Sequence, residues 1–417
     1  MRVHVLAAFA ALEIVVRAQA DERRCPPVGD LGILVRCAQS SSDALVRARG
    51  GLNAARARRE AAGRFLPSNP VLEIGAGRRR AESGAAEIDR NVELAQTLEI
   101  GGQRGARVEA ADAELRAAAT ASDAATRDLT TDVMTAVAEV VRARRALAIV
   151  RDQREAADRL REVSSARARK GVAAPMDVEL AEAARIQSLR DERVAAQALS
   201  SAESELAAEV GEDVRLIEPA ELPRSSMVSK SLADLEQAAL LRPEVVSARE
   251  DAAAARAQIS LLRRERVPDV TVAAGYRHEE FSDVIGARLS VPLPVFRRNG
   301  PEITAQEART SQAESATRQA SLRATLAVRS AYASWQRAQA AAEAISPELD
   351  TRLRDDVVAL QDAYQRGTMP LTQVLAALRE AQAARRTLLD TRADAVRSSL
   401  EVNRAAGLPS CLAGECP

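Results

Sequence analysis

Aromatic side chains are scarce in this chain, which has four Phe, three Tyr and one Trp among 417 residues. A thick globular core of this size normally contains many aromatics, because each one buries a large apolar area. The 47% of residues that are hydrophobic are instead mainly Ala, followed by Leu and Val. Alanine favours helices and lets their backbones approach closely. The composition therefore predicts long, closely packed helices rather than a large conventional core.

The sequence also lacks the features that mark several functional classes. Lys and Arg number 59, as do Asp and Glu, so the chain lacks the basic excess of a nucleic-acid-binding protein. It has two His, no Cys/His cluster with metal-ligand spacing and no Gly-rich phosphate loop. His278 stands alone in a predicted strand, where a structural or solvent-facing role is expected. No apolar run reaches the roughly 20 residues of a membrane-spanning helix. The sequence thus predicts neither an enzyme nor a cofactor-binding or metal-binding protein.

The first 20 residues predict a secretory signal peptide. Arg2 supplies the initial charge, Val3 to Val16 is apolar apart from Glu13, and Ala18-Gln19-Ala20 has the pattern of a cleavage site. An N-terminal amphipathic helix is the alternative interpretation. Export would place the mature chain in an oxidising compartment.

The four cysteines lie near the two ends of the chain, at Cys25, Cys37, Cys411 and Cys416. In an exported protein this pattern favours disulfides that hold the termini rather than a thiol active site. Four cysteines allow three pairings, of which Cys25–Cys37 with Cys411–Cys416 is the most local. Lipidation of Cys25 is an alternative, although the preceding Glu-Arg-Arg is unlike a lipoprotein signal.

Long helical patterns dominate the rest of the chain. Residues 104–168 contain no Pro and, after Gly105, no Gly; residues 176–209, 302–345 and 371–406 are also helical in pattern. Apolar stripes at spacings of three, four or seven comprise Leu129, Val133, Val137, Val140 and Leu147 in the first run and Leu371, Leu375, Leu378, Leu389, Ala393, Val396 and Leu400 in the last. Gln382 and Arg385 interrupt the last stripe. Helices of this length need packing partners along their whole extent.

Two regions alternate with a period of two and predict β-hairpins, at 69–101 and 267–298. Each has two strands of roughly ten residues, about the length needed to cross an outer membrane. In the first hairpin, Gly77 to Gly84 is predicted to be a polar loop. Glu87, Asp89 and Glu93 share one face of the strand that follows it.

The two halves of the chain repeat. Leu94 to Gly105 aligns with Leu289 to Gly300, and Gly171 with Gly367, at offsets of 195 and 196 residues. The predicted organisation is a signal peptide (1–20), an N-terminal helical segment (21–66) with a possible break at Gly50-Gly51, a first repeat (67–211; hairpin 69–101, helical hairpin 104–210), a connecting region (212–243), a second repeat (244–408; helix 244–266, hairpin 267–298, helical hairpin 301–407) and a Cys-containing tail (409–417).

Several motifs keep this order and spacing. They are Leu98-Glu-Ile-Gly-Gly-Gln-Arg104 followed by Ala106-Arg-Val-Glu-Ala, Arg242-Pro243-Glu244 after Ala238-Ala239-Leu240, Pro292-Leu293-Pro294-Val295-Phe296, and Tyr364-Gln-Arg-Gly-Thr368. Through the order and spacing of these motifs, the chain resembles the outer membrane factors of the TolC family. The first motif is similar to the strand-to-helix junction of the CzcC-like heavy-metal-efflux branch.

The resemblance implies a mainly α fold with a small β part. Long helical hairpins would form a hollow periplasmic α-barrel, and the two β-hairpins would contribute to a trimeric barrel in the lipid of the Gram-negative outer membrane. It implies a homotrimer that works with a periplasmic adaptor protein and an inner-membrane pump. The chain itself would be a passive exit duct, without cofactor or catalytic residues, for heavy-metal cations.

The resemblance also suggests functional residues. Those of the two helical turns would dock the adaptor, although Gly and Pro there could simply reverse the chain: Gly171, Val172, Ala173, Gly367, Thr368 and Met369. Asp177 and Glu179 would ring a tunnel gate, or else interact with the helix dipole. The matching segment of the second turn, Leu371 to Gln373, lacks an acid. Glu87, Asp89 and Glu93 would line the barrel lumen, or would simply form a wet strand face.

Two other functions remain open. The same kind of channel could export drugs, solvents or a secreted protein. The chain could instead be a soluble periplasmic coiled-coil adaptor or scaffold, which would leave the alternating hairpins unexplained.

Overall fold

The computed structural model describes residues 31–80, 86–211, 230–279, 282–294, 299–346 and 348–409. In these ranges the helices are α1 (Leu31–Ser41), α2 (Asp43–Ala62), α3 (Gln103–Arg169), α4 (Pro175–Val210), α5 (Leu232–Ala239), α6 (Pro243–Arg264), α7 (Gly300–Glu343), α8 (Leu349–Arg366) and α9 (Leu371–Ala406). The strands are β1 (Val71–Arg80), β2 (Ala86–Leu98), β3 (Val270–Glu279) and β4 (Ser282–Ser290). The mainly α fold with a small β part is confirmed. The predicted signal peptide lies outside the described residues.

The four strands form one antiparallel sheet in the order β1-β2-β3-β4. Leu72, Leu94, Ala274 and Ala287 are paired across all four strands and therefore share a face. Further members of this apolar face are Ile74, Val92, Val272, Tyr276, Ile285 and Leu289. The opposite, polar face includes Glu73, Asp89, Glu93, Arg277 and Arg288, with glycine at positions 75, 77, 275 and 286.

Three sequence-based expectations about element boundaries are wrong. The N-terminal helical segment breaks at Ser42 and continues through Gly50-Gly51, because a Gly pair costs a helix only about 1 kcal/mol per residue. Strand β1 extends to Arg80, so residues 77–80 of the predicted loop pair with β2 instead.

The third correction concerns the first arm of the helical hairpin 301–407, for which the repeat predicts one long helix up to the turn at Gly367. The predicted run 302–345 itself agrees with α7 to within two residues at each end. This arm consists of two helices, because α7 ends at Glu343 and α8 begins at Leu349. The sequence places Pro347 in the interval. A proline lacks the backbone N–H that a helix needs and disfavours helical backbone at the residue before it, which accounts for the interruption.

The chain divides into two compact units, of which the first comprises residues 1–46, 125–242 and 324–417. Its main core contains the predicted stripe of α3, including Leu129, Val133 and Val137, together with Leu34, Leu45, Leu206, Val210, Val396 and Leu400 from other helices. Burial of several of these side chains, at about 1.5–3 kcal/mol each, supplies the partners that a long Ala-rich helix needs. Cys37 is disulfide-bonded. Cys25, Cys411 and Cys416 lie outside the described residues, so the proposed pairing stays a prediction.

The second unit comprises residues 47–124 and 243–323 and contains the sheet. The segment from Leu98 to Arg104 links β2 to α3 and packs closely against the segment that precedes β3. A Cβ on Gly101 would lie 2.7 Å from the Cβ of Val267, and Gly102 has a φ of +74°. The Gln103 side-chain amide donates to the Val267 carbonyl and to Asp269, both at 3.1 Å. This contact requires Gly-Gly-Gln, which gives that part of the motif a structural reason.

In the part of the chain that the structure describes, no helix has both the length and the apolarity to cross a membrane.

Candidate functional site

The two helical turns, at 170–174 between α3 and α4 and at 366–370 between α8 and α9, share one backbone conformation. Gly171 and Gly367 have φ values of +71° and +79°. The N-cap residues that follow, Ala174 and Pro370, are extended, with ψ values of 147° and 150°. Both pairs are 196 residues apart, so the sequence repeat is also a repeat of backbone geometry.

Each turn ends its helix with the same pair of hydrogen bonds. In the first, the N–H of Val172 donates to the Arg167 carbonyl at 3.0 Å and that of Gly171 to Ala168 at 2.9 Å. In the second, Thr368 donates to the Ala363 carbonyl at 2.9 Å and Gly367 to Tyr364 at 3.0 Å. This arrangement satisfies helix-end carbonyls and requires a left-handed residue, which explains the glycines.

The turn residues differ in accessibility. Gly171, Val172, Gly367 and Thr368 are exposed, and the Val172 side chain is 61% exposed. Ala173 and Met369 are half-buried, and Met369 packs against a hydrophobic cluster beneath the turns. Four of the six predicted docking residues therefore present themselves to solvent.

That cluster joins the two helical hairpins. It is formed by Ala156, Leu160, Ala181, Val357, Tyr364, Leu371, Val374, Leu378 and Ala381. These residues come from both arms of both hairpins. Because one core supports both turns, the two turns are held as a pair.

A polar contact beside this cluster also connects the hairpins. The hydroxyls of Ser164 and Tyr364, both buried, are hydrogen-bonded at 2.9 Å. The Arg167 guanidinium lies 5.2 Å from the Tyr364 ring centroid and donates to the carbonyls of Tyr364, at 2.9 Å, and Gln365, at 3.1 Å. Sequence reasoning missed Ser164 and Arg167, and Tyr364 had been noted only as part of a motif.

Arg385, which interrupts the apolar stripe of α9, is buried between three helices. It is 3% exposed and donates to Asp152 of α3 at 3.0 Å and to Asp350 of α8 at 2.9 Å. Burial alone would raise the pKa of the Asp350 carboxyl, but the hydrogen bond and charge of Arg385, with Arg354, outweigh it and lower that pKa. The sequence marks Arg385 as an anomaly without revealing its partners.

On the polar face of the sheet, Glu93 and Arg288 form an ion pair that crosses strand β3. Between them lies Gly275, paired with Glu93; a Cβ there would come within 3.3 Å of the Glu93 Cβ. The glycine therefore leaves room for the two long side chains. Glu93 and Arg288 also occupy equivalent positions of the two repeats, 195 residues apart.

Residues 34–212 and 235–408 match the outer membrane efflux protein family. These segments make up most of the chain. The chain belongs to this family.

Relatives and solved structures agree with this assignment. This efflux protein is 30% identical to Protein CyaE of Bordetella pertussis over 64% of its own length, and it spans only 63% of that relative. A membrane protein from Pseudomonas aeruginosa has a similar fold, with a TM-score of 0.76 and 19% identity over 90% of this chain and 93% of that one. The open state of the Neisseria gonorrhoeae MtrE outer membrane channel is also similar, with a TM-score of 0.74 and 20% sequence identity. The match covers 91% of this chain and 89% of that one.

The family consists of efflux proteins, so the prediction that the chain is not an enzyme is confirmed. The match does not favour the soluble scaffold. The described residues contain no group of three or more His, Cys, Asp or Glu side chains arranged to hold a metal ion.

The acidic residues predicted for this efflux protein fall in different settings. Asp177 is half-buried in the first turn of α4, and Glu179 is exposed. Among the described residues the side chain of neither makes a hydrogen bond or ion pair, and the N-cap Ala174 has no side-chain cap. Asp89 shares a face with Glu93, whereas the Glu87 side chain lies outside what the structure describes.

Proposed function

We propose that this efflux protein is the outer membrane channel of a tripartite efflux system. It would act as a homotrimeric, passive exit duct that extends into the periplasm, where an adaptor protein docks to it and an inner-membrane pump supplies the energy. The observation that carries the proposal is the pair of exposed, conformationally equivalent turns on one shared core, combined with a four-stranded sheet that is apolar on one face.

The sheet supports the trimer. In the described sheet, β1 and β4 are the outer strands, and each has one edge without a partner strand. Four strands are too few to close on themselves, and an open edge cannot face lipid. Three chains would supply roughly a dozen strands, enough for a closed barrel.

Purification and bilayer recording test the channel. We expect the protein in the outer membrane fraction, a trimeric mass in detergent by light scattering, and discrete conductance steps in planar bilayers. Recovery as a monomer from the soluble periplasm would contradict the proposal.

A photo-crosslinking amino acid tests the docking turns. Placed at Val172 or Thr368, both exposed, it should capture a periplasmic protein that mass spectrometry identifies as an adaptor. Placed at Gln187, which is exposed farther along α4, it should not. Equal capture from all three positions would contradict docking at the turns.

We propose heavy-metal cations as the exported substrate, on the strength of the Leu98–Arg104 motif. A deletion strain should then become sensitive to metals such as Cu²⁺, Zn²⁺, Co²⁺ or Cd²⁺, while its tolerance of drugs and solvents stays unchanged. Sensitivity to drugs or solvents with unchanged metal tolerance would favour drug or solvent export. Loss of a protein from the culture medium of the deletion strain would favour export of a secreted protein.

Asp177 is proposed as a gate residue, because threefold symmetry would bring three copies of this carboxylate together. Their negative charge would attract cations, and their mutual repulsion would make opening sensitive to charge. Asp177→Ala should raise single-channel conductance or leak. Asp191→Ala, four turns farther along the same helix, is the matched control and should leave conductance unchanged. Identical conductance for all three proteins would exclude the gate and leave the channel itself intact.

A further inference from the structure

The apolar face of the sheet ends in two arginines near the turns that close the hairpins. Arg90 of β2 lies opposite Ala76, and Arg78 of β1 lies opposite Ile88, so both arginines are on this face. Both are exposed. Below them along the strands, exposed apolar side chains continue the face: Leu72, Ile74, Val92, Leu94, Ile285 and Leu289.

The two arginines lack a counter-ion within the described part of the chain. Neither makes a hydrogen bond or an ion pair there. As diagonal neighbours across a strand pair, their Cβ atoms lie roughly 7 Å apart, close enough for the like charges to repel. The nearest acid on the face, Asp283, is two strands from Arg90 and accepts hydrogen bonds from Tyr276, at 2.5 Å, and His278, at 2.7 Å.

The position of the pair along the strands matches a membrane interface. Leu98 begins the apolar face at the opposite end of β2, and Arg90 is eight residues away, or about 26 Å at roughly 3.3 Å per residue. A strand tilt of about 40° reduces this to a height of about 20 Å, comparable to the roughly 25 Å apolar band of an outer-membrane protein. The arginines would therefore lie at headgroup level, where such a charge costs far less than at the midplane.

We propose that Arg78 and Arg90 form a binding site for the phosphate of an anionic lipid headgroup. Two adjacent guanidinium groups can hold phosphate oxygens through paired, charge-assisted hydrogen bonds, and the anion would relieve their mutual repulsion. The exposed apolar side chains of Ile74, Ile88 and Val92 adjoin the arginines and would contact the acyl chains. This continuity favours a lipid over free phosphate. The site rests on the proposed insertion of the sheet in the membrane.

Lipid titration of the intact protein tests the site. Trimers in neutral detergent are titrated with phosphatidylglycerol or with phosphatidylcholine of the same acyl chains, and bound lipid is counted by native mass spectrometry. Phosphatidylglycerol should bind about tenfold more tightly to the native protein, the factor that one good charged contact gives. The Arg78→Gln/Arg90→Gln double variant should lose this preference.

Arg277→Gln is the matched control, because Arg277 lies opposite Asn91, next to Arg90 along the strands but on the polar face. It should keep the full lipid preference. Retention of the trimeric mass in the same native mass spectra shows that each variant is folded and assembled. Inorganic phosphate at millimolar concentration should not displace the lipid; if it does, the site binds anions in general and the proposed lipid specificity is wrong.

The outcomes separate this site from the proposed function. Failure to form membrane-inserted trimers would contradict the proposed function. Normal trimers whose preference for phosphatidylglycerol survives in the double variant, or is lost equally in Arg277→Gln, would contradict the lipid site alone.

Discussion

Arg385 occupies a position in α9 where the periodicity of the helix favours an apolar side chain. Its burial is tolerated because two carboxylates, Asp152 and Asp350, take its hydrogen bonds. A buried ion pair adds little net stability, but a buried charge that loses a partner is costly. The arginine therefore specifies which helices meet at this level more than it strengthens their packing.

Asp350→Asn should destabilise the protein by about 1–3 kcal/mol, because the buried guanidinium loses one of its two charged acceptors. Asp394→Asn is the control: Asp394 pairs with Arg397 on the surface, where both side chains are more than half exposed. Its cost should stay below about 0.5 kcal/mol. Thermal unfolding in detergent, followed through Trp335 emission, measures both. Equal shifts in the unfolding midpoint of the two variants would contradict the argument that burial of Arg385 makes the loss of its acceptor costly.

The same pair predicts a pH dependence. The pKa of Asp350 is lower in the folded protein than in the unfolded chain, so its contribution is fully present above the unfolded pKa of about 3.9 and is lost as the pH falls through the folded value. The difference in stability between the native protein and Asp350→Asn should therefore be constant from pH 7 to about pH 5 and shrink below about pH 4. A difference that grows on acidification would show that the sign is wrong.

At the scale of elements, the two helical turns combine equal backbone geometry with unequal surroundings. A Cβ added at Gly171 would meet nothing within 4 Å, whereas one at Gly367 would lie 3.1 Å and 3.2 Å from the two terminal nitrogens of Arg167. That arginine belongs to the other hairpin and donates to Tyr364 and Gln365. The second turn is therefore in contact with a side chain of the first helical hairpin, whereas Gly171 of the first turn has open space around it.

Gly171→Ala should cost about 1–2 kcal/mol, the penalty of placing an L residue in left-handed backbone. Gly367→Ala should cost more, because the new methyl group also displaces Arg167. Thermal midpoints measure the difference. If Arg167→Ala is introduced first, the two alanine substitutions should become equally costly, and persistence of the gap would contradict the explanation.

Tyr364→Phe isolates the hydroxyl that links the hairpins. Ser164 is fully buried and loses its Tyr364 partner, so we expect a loss of about 1–3 kcal/mol. Tyr332→Phe is the control, since the Tyr332 ring lies against Trp335 at 5.4 Å and the ring is retained. A cost for Tyr364→Phe no larger than that of the control would contradict a structural role for the hydroxyl.

The elements themselves could be predicted because their patterns are local. The stripe of Leu129, Val133 and Val137 and the alternation in the hairpins each reflect one buried or apolar face. The glycine pair at Gly50-Gly51 misled because packing outweighs a modest helix propensity. The contacts of Arg385, Tyr364 and Arg288 could not be predicted, since each depends on how far one helix or strand is shifted along another.

At the scale of the whole molecule, the ion pair between Glu93 and Arg288 changes the expected charge of the conduit. The resemblance places Glu93 in a barrel lumen, where an unpaired carboxylate would attract cations, but its charge is compensated by an arginine of the other repeat. If the polar face lines the proposed conduit, cation preference there depends on other acids of the face, such as Glu73.

Arg288→Gln should then raise the cation-to-anion permeability ratio by roughly 1.5-fold, a modest effect because salt screens charges over about 8–10 Å. Arg90→Gln, on the opposite face of the same sheet, should leave the ratio unchanged. Reversal potentials under a salt gradient in planar bilayers measure both. A larger effect from Arg90→Gln would mean that the two faces have been assigned the wrong way round.

The unpaired edges of β1 and β4 carry a kinetic consequence. Within the described chain each is a row of backbone donors and acceptors that has no partner strand. In the proposed trimer, these edges would pair with strands of neighbouring chains, so the sheet would complete its hydrogen bonding only when chains meet. Formation of inserted protein should therefore rise more steeply than linearly with the amount of chain synthesised. At low expression the limiting step would then be the collision between partly folded subunits, and chains that have not yet assembled would be exposed to proteases.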